Sequence, residues 1–184
     1  MTADLIQRAQ QGDHAAFEEL IRAAYDRLYA IAYRIIRERL SAEDAVQDAI
    51  VRCWRDLRAL REHERFDGWL HRLLVNACRD EVRRGRRRPI EVYGHPIDLP
   101  AGGDEYARVA AHDELERAFL KLPADQRIAL VLTHYVGYSG TELAAILGVP
   151  AGTVHSRLHY GARAMRAALV GPDSPRQATT ESAQ

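Results

Sequence analysis

Residues 139–158 read SGTELAAILGVPAGTVHSRL, and their order decides the fold. Ser139 and Glu142 stand at capping-box spacing, where the hydroxyl and the carboxylate each satisfy a backbone N–H of the other residue. A short helix opens there, with Leu143, Ala144 and Leu147 on its apolar face. Gly148-Val149-Pro150 makes a tight turn, and a second helix begins near Ala151. Two helices joined by a three- or four-residue turn containing Gly form a helix-turn-helix. In the second helix Val154, Leu158, Met165 and Leu169 point to the core, while His155, Ser156, His159, Tyr160 and Arg163 lie on other faces. Thr153 sits near the helix N-terminus, where free backbone N–H groups and the dipole favour a phosphate. Polar and basic side chains at the start of the second helix are what major-groove reading requires. Residues 126–170 carry 4 basic and 1 acidic side chains, so little in this segment repels phosphate. The alternative is an αα-hairpin that only packs.

Working outward, Leu122-Pro123 opens a helix with Pro in its first turn, and Ile128, Val131, Leu132 and Tyr135 supply its core stripe. Near the start of the chain, Asp13 caps a helix on which Phe17, Leu20, Ile21, Ala24 and Leu28 repeat at helical spacing, extended by Ile31 and Ile35. Tyr25, Tyr29 and Tyr33 form a second row, read as core or boundary packing. Ser41 and Asp44 suggest a capping box for the next helix, whose stripe is Val46, Ile50, Cys53, Trp54 and Leu57. A third long helix runs from about Phe66 to Arg84, with Leu70, Leu73, Leu74, Ala77 and Cys78 inward. Gly85, Pro89, Gly94, Pro96, Pro100, Gly102 and Gly103 then break the pattern, which resumes near Tyr106. The expected architecture is all-α: a helical domain over 1–85, a flexible linker over 86–110, a helix-turn-helix domain over 111–170, and a disordered tail over 171–184.

The formal net charge is zero, but it is unevenly spread. Residues 51–90 carry 12 basic and 6 acidic side chains, a net +6, whereas residues 91–125 carry 3 and 8, a net −5. Alternating basic and acidic segments suit a protein that meets nucleic acid in two places and a protein partner elsewhere; ordinary solvated helix faces are the plainer reading. Lys121 is the sole lysine; every other basic residue is Arg, which favours bidentate contacts. No run of 18 apolar residues predicts a transmembrane helix, and the first ten residues lack a signal-peptide pattern, so a cytoplasmic location without membrane insertion is expected. Cys53 and Cys78 form no CxxC or Cys/His cluster, so neither a metal nor another cofactor is expected.

The run from Leu122 to Leu169, and above all Gly152-Thr153-Val154-His155-Ser156-Arg157-Leu158, resembles the fourth conserved region of the sigma-70 family, extracytoplasmic-function branch. The resemblance implies reading of the promoter −35 element and contact with the flap of the polymerase β subunit. It offers Thr153, His155, Ser156, Arg157, His159 and Arg163 as DNA contacts. Tyr160 departs from the pattern, since many relatives carry Arg there. Ser41 to Arg55 resembles the second conserved region, implying docking on the β′ clamp helices of core RNA polymerase with Asp44, Gln47, Asp48 and Arg55 at the contact. Phe66 to Arg84 resembles the segment that opens and reads the −10 element. Capturing extruded bases and holding the strand with Arg would offset the cost of unstacking. Arg72, Arg79, Arg83 and Arg84 could form the positive track. Asn76 either bonds a base edge or braces the fold, and Trp69 either stacks at the duplex edge or fills the core. The loop from Arg58 to Arg65 is where the family holds a flipped base. By the same resemblance the chain is a non-enzymatic alternative sigma factor that opens −10 DNA, and an anti-sigma protein is an expected partner.

A stand-alone helix-turn-helix regulator is the main rival, but it would need a dimerisation surface and a palindromic site, which an asymmetric two-domain layout does not suit. A metal hydrolase would need clustered ligands; no HExxH occurs, and His63 and His71, read as flanking a loop, have no metal-ligand spacing. A helical adaptor that binds only protein is a third reading.

Overall fold

The structure, a computed structural model, describes residues 2–85 and 113–169. The expected linker, the restart near Tyr106 and the expected tail lie outside these residues. All regular elements among the described residues are helices. In order they are α1 (Thr2–Gln10), α2 (His14–Ile36), α3 (Arg39–Asp56), α4 (Phe66–Gly85), α5 (residues 113–121), α6 (Ala124–Val131), α7 (Gly140–Leu147) and α8 (Ala151–Leu169).

Asp13 caps α2 as its sequence position predicts, accepting from the Ala16 N–H at 3.1 Å. Leu20, Ile21, Ala24, Leu28, Ile31 and Ile35 are buried along its length, while Phe17 lies at the edge of the core. The helix ends where Arg37 turns left-handed at φ 62°. That conformation costs a non-glycine residue about 1–2 kcal/mol. Burial of the Arg37 side chain against the Tyr33 ring and its ion pair with Glu116 offset it.

α3 begins earlier than the Ser41–Asp44 pattern suggested. Glu38 is its N-cap and accepts from the N–H groups of Leu40 and Ser41 at 2.8 and 2.7 Å. A carboxylate at this position satisfies two donors and faces the positive end of the helix, which a hydroxyl does less well. Ala42, Ala45 and Ala49 are fully buried and let α3 approach its neighbours closely. Val46, Cys53 and Leu57 are core, whereas Ile50 and Trp54 lie at its edge, Trp54 against His14 and Phe17. Cys53 and Cys78 are free thiols in the core, and burial pushes both up to about 12. Tyr29 and Tyr33 stack at the boundary, and Tyr25 and Tyr33 are 36% and 38% exposed there.

Two details of the second half differ from expectation. Pro123 is the N-cap of α6, not a residue of its first turn. Tyr135 leaves the core stripe because Leu132–Val136 form a π-turn. A π-turn admits an extra residue per turn and rotates the side chains beyond it. Tyr135 is therefore 45% exposed, with the Arg34 guanidinium 3.8 Å above its ring.

Helices from the two halves pack on each other, α2 on α6 and α4 on α7. His71 lies buried inside α4, not beside a loop, and its Nδ1 meets the Tyr138 hydroxyl at 2.7 Å. Burial, aided by the Arg27 charge, pulls its pKa down from 6.5 to about 4. The unfolded chain titrates this ring near its ordinary pKa, so the neutral ring's full contribution is present above about pH 6.5. Below that the unfolded chain binds a proton the folded chain refuses, and stability falls until the pH passes about 4. Moving from pH 7.5 to 5 is expected to lose about 2 kcal/mol through this group. His71→Asn keeps a partner for Tyr138 and cannot titrate here; urea midpoints at the two pH values should converge. An unchanged slope would show that other groups set the acid sensitivity.

Candidate nucleic-acid and polymerase interfaces

The helix-turn-helix forms as its local chemistry predicts. The Ser139 hydroxyl accepts from the Glu142 N–H at 3.3 Å, and the Ser139 N–H donates to the Glu142 carboxylate at 2.8 Å. The Ser139 hydroxyl, which also donates to the Glu142 carboxylate at 2.7 Å, and then the Ser139 N–H hold that carboxylate below its ordinary range. Gly148 ends α7 at φ 63°, where a side chain would be strained. Leu143, Ile146, Leu147 and Val154 are buried beneath the turn and set the angle between α7 and α8.

His155, Ser156, His159 and Arg163 are exposed on α8, and Thr153 is half-buried in its first turn. The His155 and His159 rings stack, with centroids 6.5 Å apart. The Ser156 hydroxyl donates to the Gly152 carbonyl of its own helix. Arg157 departs from expectation. Its side chain is only 19% exposed and donates to Asp125 at 2.7 Å, so it turns inward from the other candidates.

On α4, Trp69 is half-buried beside Phe66 and Arg72 is exposed. Asn76 accepts from Arg79 at 3.1 Å, a bracing contact. Arg79 also donates to Asp125 at 2.9 Å, and its side chain is 23% exposed. Arg83 pairs with Asp80, and Arg84 with Glu81, each three residues back on the same helix. The arginines expected to form one continuous positive track are thus partly tied to acids, while Arg72 lies exposed beside the turn of the helix-turn-helix.

On α3, Asp44, Gln47 and Arg55 are exposed and Asp48 half-buried. Asp48 holds Arg52 through two bonds of 3.1 and 2.6 Å, and Arg52 reaches on to Asp80 at 3.0 Å. Arg55 pairs with Asp56. Val51 shares the face of Asp44, seven residues on, and is 64% exposed; its apolar side chain off the buried stripe was the signal for it. Asp125 is the other residue missed, and its place in a first helical turn gave no hint of its partners.

A helical domain whose basic helix abuts a helix-turn-helix defines the class: a two-domain, DNA-binding transcription protein. Residues 20–88 match the family described as Sigma-70 region 2, and residues 112–165 match Sigma-70, region 4. ECF RNA polymerase sigma factor SigM of Mycobacterium tuberculosis (strain ATCC 25618 / H37Rv) is 36% identical over 170 residues, spanning 92% of this chain and 84% of SigM. SigW of Bacillus subtilis (strain 168) is 27% identical over 182 residues, spanning 89% of this chain and 94% of SigW. The solved structure of CnrH in complex with the cytosolic domain of CnrY matches with a TM-score of 0.65 and 29% identity, over 94% of this chain and 99% of that one. The sigma factor RpoE, in complex with the anti-sigma factor NepR from Bartonella quintana, matches with a TM-score of 0.65 and 25% identity, over 86% and 98%. The chain belongs to the ECF RNA polymerase sigma factors. It is an alternative sigma factor of promoter-specific transcription initiation, a family whose members are in general not enzymes. Among the described residues no helix is long and apolar enough to cross a membrane.

Proposed function

We propose that the two halves divide the work. Residues 1–85 dock on the β′ clamp helices of core polymerase and open the −10 element. Residues 86–110 link them to residues 111–170, which read the −35 element and touch the β flap, with 171–184 as a tail. The supporting observation is that one chain carries both family regions in order, the first with an exposed polar face on α3 and the second with a formed helix-turn-helix. Asp44, Gln47, Asp48 and Arg55 form the polymerase contact. Trp69, Arg72, Asn76, Arg79, Arg83 and Arg84 serve the −10 DNA. Thr153, His155, Ser156, Arg157, His159 and Arg163 serve the −35 DNA. The chain works in the cytoplasm without catalysis of its own. An anti-sigma protein restrains it, a reading supported by the bound partner named for RpoE.

Gel-shift assays on promoter fragments test this. Strong specific binding should appear only with core polymerase; specific binding by the free chain would favour a stand-alone regulator. Within the same reading, Asp44→Ala with Asp48→Ala should weaken core polymerase binding by about 1–2 kcal/mol, a factor of about 5–30. The fold should survive, because partly exposed ion pairs such as Asp48–Arg52 contribute little to stability. Full affinity of a folded double variant in a pull-down would move the contact elsewhere.

A further inference from the structure

We propose that Gln10 is a positioning residue for promoter reading: it holds the segment between α3 and α4 in one shape, and that shape sets base preference at the −10 element. Gln10 is the last residue of α1 and is half-buried. Its amide N–H groups donate to the Leu57 carbonyl at 3.0 Å and the Leu60 carbonyl at 2.7 Å, and its Oε1 lies 3.0 Å from His63 Nε2. The three partners stand 47, 50 and 53 residues further along the chain, so one side chain ties α1 to a distant segment. Backbone carbonyls only accept, so the amide must turn its nitrogen towards them. Oε1 then accepts from His63, which fixes a proton of that ring on Nε2.

The segment needs such a tie. Residues 57–65 hold two 3-10 turns, Leu57–Ala59 and His63–Arg65, joined by Leu60, Arg61 and Glu62. Leu57 and Phe66, both buried, anchor its ends. Between them Arg58, Ala59, Arg61, Glu62, Glu64 and Arg65 are exposed. Short turns with so few buried side chains hold their shape poorly. α1 supplies a fixed frame, because its Leu5, Ile6 and Ala9 are buried in the core. The Leu57 carbonyl also accepts from the Leu60 N–H at 3.0 Å, so Gln10 acts at the bond that closes the first turn.

The segment leads into the helix assigned to −10 DNA. It runs directly into α4, where Phe66 lies beside Trp69 with ring centroids 6.1 Å apart. Arg58, Arg61 and Arg65 place exposed cations ahead of that ring. An extruded base is discriminated by hydrogen bonds to its edge and by stacking, and both need groups held at fixed positions. A segment free to move would have to be ordered at every capture, and would accept several bases about equally well. The role of the segment rests on the reading that Trp69 and α4 meet −10 DNA; the tie itself rests on the contacts alone.

Variants of the full chain, assayed with core polymerase, test this. Run-off transcription is measured on promoters that differ from one another by a single −10 base pair. Gln10→Ala should shrink the ratio between preferred and altered bases at one or more −10 positions by about fivefold or more, and leave −35 preferences as they were. Gln10→Glu keeps the size of the side chain but sets a carboxylate against two carbonyls, so it should lose the preference as well. Preference retained by Gln10→Glu would reduce Gln10 to a filler of space and overturn the proposal. A uniform fall on every template would make the residue structural and overturn it too, as would unchanged preference in Gln10→Ala or failure of both variants to fold. Amide hydrogen exchange in the free chain gives a second measurement without DNA. Residues 58–65 of both variants should exchange about tenfold faster or more, with the core amides of α3 and α4 unchanged. Unchanged exchange over 58–65 overturns the tie. The −10 assignment is decided separately, by Trp69 variants on a melted template with Gln10 in place, so either idea can fail while the other stands.

Discussion

Run-off transcription from an ordinary duplex promoter is expected to fall about 5- to 150-fold when Trp69 is replaced by Ala, the range set by ~1–3 kcal/mol of base–aromatic stacking. Trp69 is half-buried beside Phe66, so a purely packing role would also reduce activity by weakening α4. A template already melted across the −10 element separates the two. Strand opening is then supplied, and the Trp69 variant should recover most of its activity. Arg72→Ala and Arg83→Ala should behave alike, since a positive track holds a strand that the polymerase no longer has to separate. Persistent loss on the melted template would make these residues structural.

Substitutions on α8 should respond in the opposite way to the same pair of templates. A side chain reading a base edge discriminates by about 1–3 kcal/mol, whereas a phosphate contact carries no sequence information directly. His155→Ala is expected to relax preference at one or two −35 base pairs, by about 5- to 150-fold between best and altered promoters. Arg163→Ala should weaken every promoter alike and flatten the salt dependence of binding by about one phosphate contact. Neither variant should be rescued by a melted −10 element, because the −35 contact is made to duplex DNA. Equal rescue of both sets, or of neither, would mean that the two halves had been assigned wrongly.

Arg157 shows where reading α8 from sequence alone stops. Its position in the Gly152–Leu158 signature marks it for DNA, and in the structure it pairs with Asp125 instead. No local pattern can announce a partner in another helix. The helix-turn-helix itself was legible because each of its devices is local: Ser139 and Glu142 three residues apart, Gly148 at the positive-φ turn, and Leu143, Leu147 and Val154 at helical spacing. Asp13 was legible for the same reason. The start of α3 differs from the sequence pattern because Glu38 takes the N–H groups ahead of Ser41, and a Glu at N-cap is not a usual choice. Tyr135 falls outside the core stripe because a π-turn breaks the 3.6-residue period on which that stripe depends. The exposed polar face of α3 followed from periodicity, and its proposed role as a polymerase contact came only from the family resemblance.

As an alternative sigma factor, this chain gives core polymerase its promoter choice. Purified core polymerase should be incubated with genomic DNA, with and without the full chain, and new transcript starts mapped genome-wide. The predicted result is a discrete set of starts that appear only with the chain and share two short upstream elements at −35 and −10 spacing. Transcripts unchanged by the chain, or starts lacking any shared paired elements, would contradict it.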